Sequence, residues 1–301
     1  MSAWFKETSF RSKVSSGSVF ILAALAISSL DVDRAGAQWT ERAYVEHAAY
    51  RIAKVPSALV HAPASFDGSR RFNLVVFLHG YLGCAEVLMS GGLVSCTPDG
   101  IKREGWDLGR AHDKAGINSI FVVPQLAYLK RSADPGNFSR ASYFRTFLEE
   151  LLRGVVAKRL GRITTLDDVA SITLVAHSAG YKTAIAILRD RQAIGLIRYV
   201  ILLDALYAGV DEFMTWVDRT YNQNTRLVSL YTGHRSTSRH NERLVRIARG
   251  KLGAHEAQLV EISKLTQAVR SSHVAVSRVD VAHRQIPEAF LDHTIKAVFG
   301  L

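Results

Sequence analysis

Apolar residues along this chain follow two rhythms. Short unbroken runs rich in β-branched and aromatic residues recur as "NLVVFLHG" (Asn73 to Gly80), "INSIFVVPQ" (Ile117 to Gln125), "SITLVAH" (Ser171 to His177), "IRYVILLDA" (Ile197 to Ala205), "TRLVSLYTG" (Thr225 to Gly233) and "HVAVSRVDV" (His273 to Val281). Runs of this length without polar alternation predict strands buried on both faces. Between them, apolar residues fall three and four apart. "YFRTFLEELLRGVVAKRLG" (Tyr143 to Gly161) is the clearest case and ends in glycine, as an amphipathic helix should. Helices are also predicted in "GYKTAIAILRDRQ", around "DEFMTWVDRTY", from about Asn241, around "PEAFLDHTIKAVF" and, shorter, within "GWDLGRAHDKAG". The repeated β-α-β order predicts a mostly parallel sheet with right-handed crossovers and helices on both faces. In such sheets, ligands bind beyond the carboxyl ends of the strands. Polar residues that directly follow an apolar run are therefore the site candidates.

The first 37 residues break this pattern. Basic residues Lys6, Arg11 and Lys13 precede the apolar run Val19 to Ser28, and Ala35-Gly36-Ala37 meets the small-x-small cleavage rule. This order predicts a secretory signal peptide over residues 1–37 and a single domain over 38–301. The alternative is a retained N-terminal anchor, but the run is shorter than the roughly 20 residues a spanning helix needs. The expected destination is the periplasm or the extracellular space. There, Cys84 and Cys96, the two cysteines of the chain, are expected to form a disulfide. The net charge of +11 is dispersed, with no basic block, so nucleic acid is not an expected partner. An exported protein of this balance leans toward anionic cell-envelope surfaces.

Chemistry enters at "ITLVAHSAGYKTA". Ser178 stands where a strand meets a helix, with Ala176 and Gly180 two positions to either side. A turn sharp enough to lift a nucleophile clear of the sheet needs small residues at those places, because larger side chains would strike neighbouring strands. The following helix start adds backbone N–H groups and partial positive charge. The competing reading is a serine that merely caps the helix.

The elbow, "LVVFLHGYLG", Asp204 at a strand end and the late His283 together resemble the α/β-hydrolase superfamily of serine esterases and lipases, over most of residues 50–301. Ala176 departs from that family's more frequent glycine. The resemblance implies an α/β-hydrolase fold and a triad in the chain order Ser, Asp or Glu, His. Carried onto this sequence, Ser178 is the nucleophile, Asp204 the acid and His283 the base. The acid more often follows the next strand, but that segment holds no aspartate, and Asp211 is the rival. The implied oxyanion donors are the backbone amides of Tyr81 and Ala179. His177 is read as packing or orienting, His273 as lying at the wrong end of its strand, and Tyr128, Phe138, Tyr207 and His234 as candidates to line the substrate site. The function expected is an exported serine hydrolase acting on an ester of a small or polymeric acyl substrate. An amidase or peptidase, and a catalytically silent binding module of the same fold, are the alternatives. Local metal and nucleotide motifs are absent from the sequence, so neither a cofactor nor a metal is expected.

Overall fold

The computed structural model describes residues 37–301; the segment read as a signal peptide lies outside them except for Ala37. Eleven strands are present: β1 (Trp39–Ala43), β2 (Ala58–Ala62), β3 (Phe72–Leu78), β4 (Leu93–Ser95), β5 (Lys102–Glu104), β6 (Ser119–Pro124), β7 (Val169–His177), β8 (Ile197–Leu203), β9 (Arg226–Tyr231), β10 (Ala257–Val260) and β11 (Val274–Arg278). The α-helices are α1 (Ala85–Met89), α2 (Leu108–Asp113), α3 (Tyr143–Leu151), α4 (Ala157–Leu160), α5 (Tyr181–Arg189), α6 (Arg191–Ile194), α7 (Val210–Thr220), α8 (Arg235–Leu252), α9 (Leu265–Ser271) and α10 (Ile286–Phe299).

Nine strands form one sheet in the order β1-β2-β6-β3-β7-β8-β9-β11-β10. Only β2 runs against the rest, pairing antiparallel with both β1 and β6. Alternate residues of each central strand feed two separate cores. Leu74, Val76 and Leu78 of β3 enter one core with Phe144, Phe147 and Trp216 from the helices on that side. Val75 and Phe77 enter the other with Leu108, Leu291 and Ile295. Burial on both faces is why these strands read as unbroken apolar runs. The expected mostly parallel sheet covered by helices on both sides is thus the observed fold.

The details differ in three places. The predicted helix over 143–161 is interrupted by a π-helical turn, Leu152–Val156, between α3 and α4. The helix expected from Asn241 begins at Arg235, because the preceding His234 caps it by accepting the Ser236 amide hydrogen. Strands β1, β2, β4, β5 and β10 and helices α1 and α9 were not read from the pattern; β1 and β10 are edge strands and β4–β5 a small hairpin. Among the described residues, no helix is long and apolar enough to cross a membrane.

The topology places the site. From β3 the chain crosses to β6 on one side, and from β7 to β8 on the other. The crevice between the carboxyl ends of β3 and β7 is therefore the switch point, where α/β sheets bind ligands.

Candidate active site

Ser178 sits directly after β7, in a single helical turn ahead of α5, with φ at +54°. A left-handed backbone at a non-glycine residue is strained, and such strain concentrates at functional positions. Space around the turn is tight. A Cβ on Gly180 would lie 2.0 Å from the Leu78 carbonyl oxygen, and one on Gly80 2.8 Å from the Ser178 Cβ. Glycine at both places lets the end of β3 and the elbow approach closely.

Asp204 follows β8 and also has a positive φ, +45°. Its carboxylate is buried, and it accepts from the Thr232 amide (3.1 Å) and hydroxyl (3.0 Å) just beyond β9. Its Oδ2 also lies 2.7 Å from His283 Nδ1. Burial alone would raise this carboxyl, but the hydrogen bonds from His283, the Thr232 amide and the Thr237 and Thr232 hydroxyls outweigh it and hold the group below its usual range. Asp211 is elsewhere, exposed in the first turn of α7 and paired with Arg243 at 2.8 Å.

His283 begins the turn that leads into α10, and its ring is part-exposed. Its carbonyl accepts from His177 Nε2 (3.1 Å), and the two imidazoles pack at 4.6 Å. His177 is buried, with Trp106 edge-on at 5.3 Å. Ser178 and His283 face one cavity of about 350 Å³, shared with Gly80, Tyr81, Leu82, Trp106 and Arg284. No hydrogen bond joins the serine hydroxyl to the imidazole in the free protein. Such contacts commonly tighten only when substrate is bound.

The loop after β3 is held by a residue whose sequence neighbourhood hid its role. His79 is buried, and its Nδ1–H donates to the Gly80 carbonyl (2.8 Å), while its Nε2 accepts from the Leu126 amide (3.0 Å) and from Gln125 Nε2 (3.3 Å). Because a trans peptide points its C=O and N–H in opposite directions, holding the Gly80 carbonyl also aims the Tyr81 N–H. Gln125 continues the brace by accepting the Ala85 amide hydrogen at the start of α1. Beside it, Cys84 and Cys96 form the expected disulfide. Glu86, buried in α1, takes the Thr97 amide and hydroxyl and the Arg42 guanidinium, tying the disulfide loop to β1.

None of the four expected lining residues, Tyr128, Phe138, Tyr207 and His234, is among those that line the cavity. Phe138 is core, 1% exposed and packed on Phe144 and Phe147 at 5.3 and 5.1 Å. Tyr128 packs against the disulfide cluster, away from the lining. Each lies in a loop that follows a site strand, but burial of an aromatic ring turns it inward. His234 caps α8 and is not among the lining residues, although its ring stands 6.1 Å from that of Tyr207. Tyr207 lies edge-on to His283 at 6.2 Å; burial, then the Asp204 charge, push its hydroxyl up to about 12. Trp106 and Arg284, which the sequence did not single out, wall the cavity, and Arg284 reaches the Glu104 carbonyl of β5 at 3.3 Å. A larger surface groove of about 710 Å³, beside β1 and α3, contains Arg153, Lys158 and Arg159 but none of these site residues.

The buried histidines make the fold acid-sensitive. Burial pulls His79 down to about 4; burial and then the neighbouring His283 pull His177 down to about 3, against 6.5 in an unfolded chain. Below pH 6.5 the unfolded chain takes up protons that the folded rings refuse, so stability falls as the pH drops toward those values. The expected loss at pH 5 is roughly 2 kcal/mol for each ring. Urea unfolding at pH 7.5 and at pH 5 checks this; equal midpoints would contradict it.

A nine-stranded, mostly parallel sheet covered by helices on both faces, with a sharp strand-to-helix turn after β7 at the switch point, is the α/β-hydrolase fold, and this chain has it. Similarity to solved structures agrees. A mutant of the feruloyl esterase module from Clostridium thermocellum, complexed with sinapinate, matches with a TM-score of 0.52 at 12% identity, over 89% of this chain and 88% of that one. A structure of the protein FAE matches with a TM-score of 0.51 at 10% identity, over the same shares. No known family model matches the chain, and no curated protein matches it.

Proposed function

We infer that the protein is a serine hydrolase of carboxylic esters. The observation that carries this reading is the 2.7 Å bond between His283 Nδ1 and Asp204 Oδ2, formed opposite an elbow serine on a shared cavity. Asp204, ionised and buried, holds the proton of His283 on Nδ1 and so leaves Nε2 free to act as base. His283 takes the Ser178 proton as the hydroxyl oxygen attacks the acyl carbon, and the oxyanion is received by the Tyr81 and Ala179 amides. The protonated imidazole then donates to the departing alcohol, and water repeats the sequence on the acyl-enzyme. Leu82, Val87, Leu88 and Trp106 give the cavity an apolar wall, suited to an apolar acyl or alcohol group. The feruloyl esterase likeness supports an ester as the bond cleaved. The Cys84–Cys96 disulfide supports an oxidising, exported destination.

Intact-mass measurement after exposure to a fluorophosphonate tests the reading. One adduct per chain, on the peptide that carries Ser178, is expected. A folded sample that gains no adduct would overturn it.

A further inference from the structure

A second constellation lies away from the cavity. His61 on β2 and His112 and Asp113 at the end of α2 bring their ligating atoms within 4.8 Å of one another. His61 Nε2 is 2.8 Å from Asp113 Oδ1, and His112 Nδ1 is 4.0 Å from the same oxygen. Ser119, which touches His112, begins β6, whereas Gln125, just past the end of β6, braces the reaction centre. The cluster therefore sits toward the end of the sheet opposite Ser178.

Three observations point to a ligand. Both imidazoles are almost wholly buried, 2% and 1% exposed. His112 Nδ1 is enclosed and has no hydrogen-bond partner, although it faces Asp113. The far side of every group is already held: His61 Nδ1 by the Thr40 hydroxyl at 2.7 Å, His112 Nε2 by the Ser119 hydroxyl at 2.6 Å, and Asp113 Oδ2 by Gln38 Nε2 at 3.0 Å. Without an ion, His61 Nε2–H donates to Asp113 Oδ1; an ion displaces that proton, the His61 ring N–H then turns to the Thr40 hydroxyl, and the lone pairs of His61 Nε2 and His112 Nδ1 both face the carboxylate. Metal-binding histidines are oriented by the same kind of outer partner. The ring of His112 is further fixed by stacking on Phe121 at 5.0 Å.

We propose that His61, His112 and Asp113 bind a divalent transition-metal ion, zinc(II) by the nature of the donors, that ties α2 to the β1–β2 edge of the sheet. Two imidazole nitrogens and one carboxylate suit zinc, while calcium and magnesium prefer oxygen ligands alone. Bonds of about 2.0–2.1 Å to a tetrahedral ion place its ligand atoms roughly 3.3 Å apart. The 2.8 and 4.0 Å separations from Asp113 Oδ1 bracket that spacing and all three ligating groups lie within 4.8 Å, so the two rings must draw together to close the site. Water reaching the part-exposed Asp113 supplies the fourth ligand. The role is structural, independent of the hydrolase reading.

The test uses the full-length protein freed of metal with EDTA and titrated with Zn²⁺ by calorimetry, with Co²⁺ as a spectroscopic probe and thermal melting alongside. One Zn²⁺ per chain, a raised melting temperature and a four-coordinate Co²⁺ spectrum are expected. Ser119→Ala should weaken binding about 10- to 100-fold. Asp113→Asn, at a position open enough to keep the fold, should weaken it further, and Ser178→Ala should leave it unchanged. Absence of saturable binding to the folded wild type, or stoichiometric binding that survives Asp113→Asn, would overturn the proposal; the latter would point to adventitious coordination by His177 and His283.

Discussion

Ser178→Ala should lower kcat for short acyl esters by roughly 10⁵- to 10⁶-fold, the scale on which a serine hydrolase loses its nucleophile. The change removes one oxygen from a turn whose shape is set by Gly80, Gly180 and the ends of β3 and β7, so the fold should survive. Residual turnover should remain above that in water, because the proposed oxyanion donors, the Tyr81 and Ala179 amides, are untouched by the substitution. KM should change little, since the apolar wall is untouched. Steady-state kinetics beside a thermal melt distinguishes the outcomes. A folded variant that keeps a substantial share of activity would remove Ser178 from the mechanism.

Asp204→Asn should cost about 10⁴-fold in kcat with the fold intact. The size follows from which atoms Asp204 touches. One oxygen accepts the Thr232 amide hydrogen, and the other faces the Thr232 hydroxyl and His283 Nδ1. An asparagine must keep its carbonyl toward the Thr232 amide, which can only donate. Its NH₂ then points at His283 Nδ1 and forces the ring proton onto Nε2, where it blocks acceptance of the serine proton. Asp211→Asn should leave kcat near the wild type, because Asp211 is exposed and paired with Arg243. Equal losses in the two variants would refute this assignment of the acid.

Much of the architecture was legible because the central strands are buried on both faces. Leu74 to Leu78 and Ile172 to Ala176 have no solvent side to mark with polar residues, so they stand out as apolar runs. The edge strand β1, "WTERA", carries charge and barely alternates, and β10 is four residues long; neither offers a distinct period. At the site, the elbow was readable because its constraint is local: small residues must flank Ser178 within two positions. Phe138 and Tyr128 were misplaced because a loop's position in the chain does not say which way its aromatic rings turn. His79 was seen only as part of a strand-end motif. Its brace depends on Gln125 and Leu126, more than forty residues away.

The amino-acid sequence by itself determined the order of the six strands that read as apolar runs, the wound parallel sheet and the serine at a strand-to-helix turn, since each follows from backbone sterics and burial over a few neighbouring residues. Tertiary structure alone decided which aspartate meets His283, because pairing Asp204 with a residue 79 positions later depends on the order of β8, β9 and β11 in the sheet. It also decided that His61 and His112 converge, 51 residues apart and without a shared motif. Strand order and register place such groups within reach of one another, and neither is encoded in the spacing of the residues themselves.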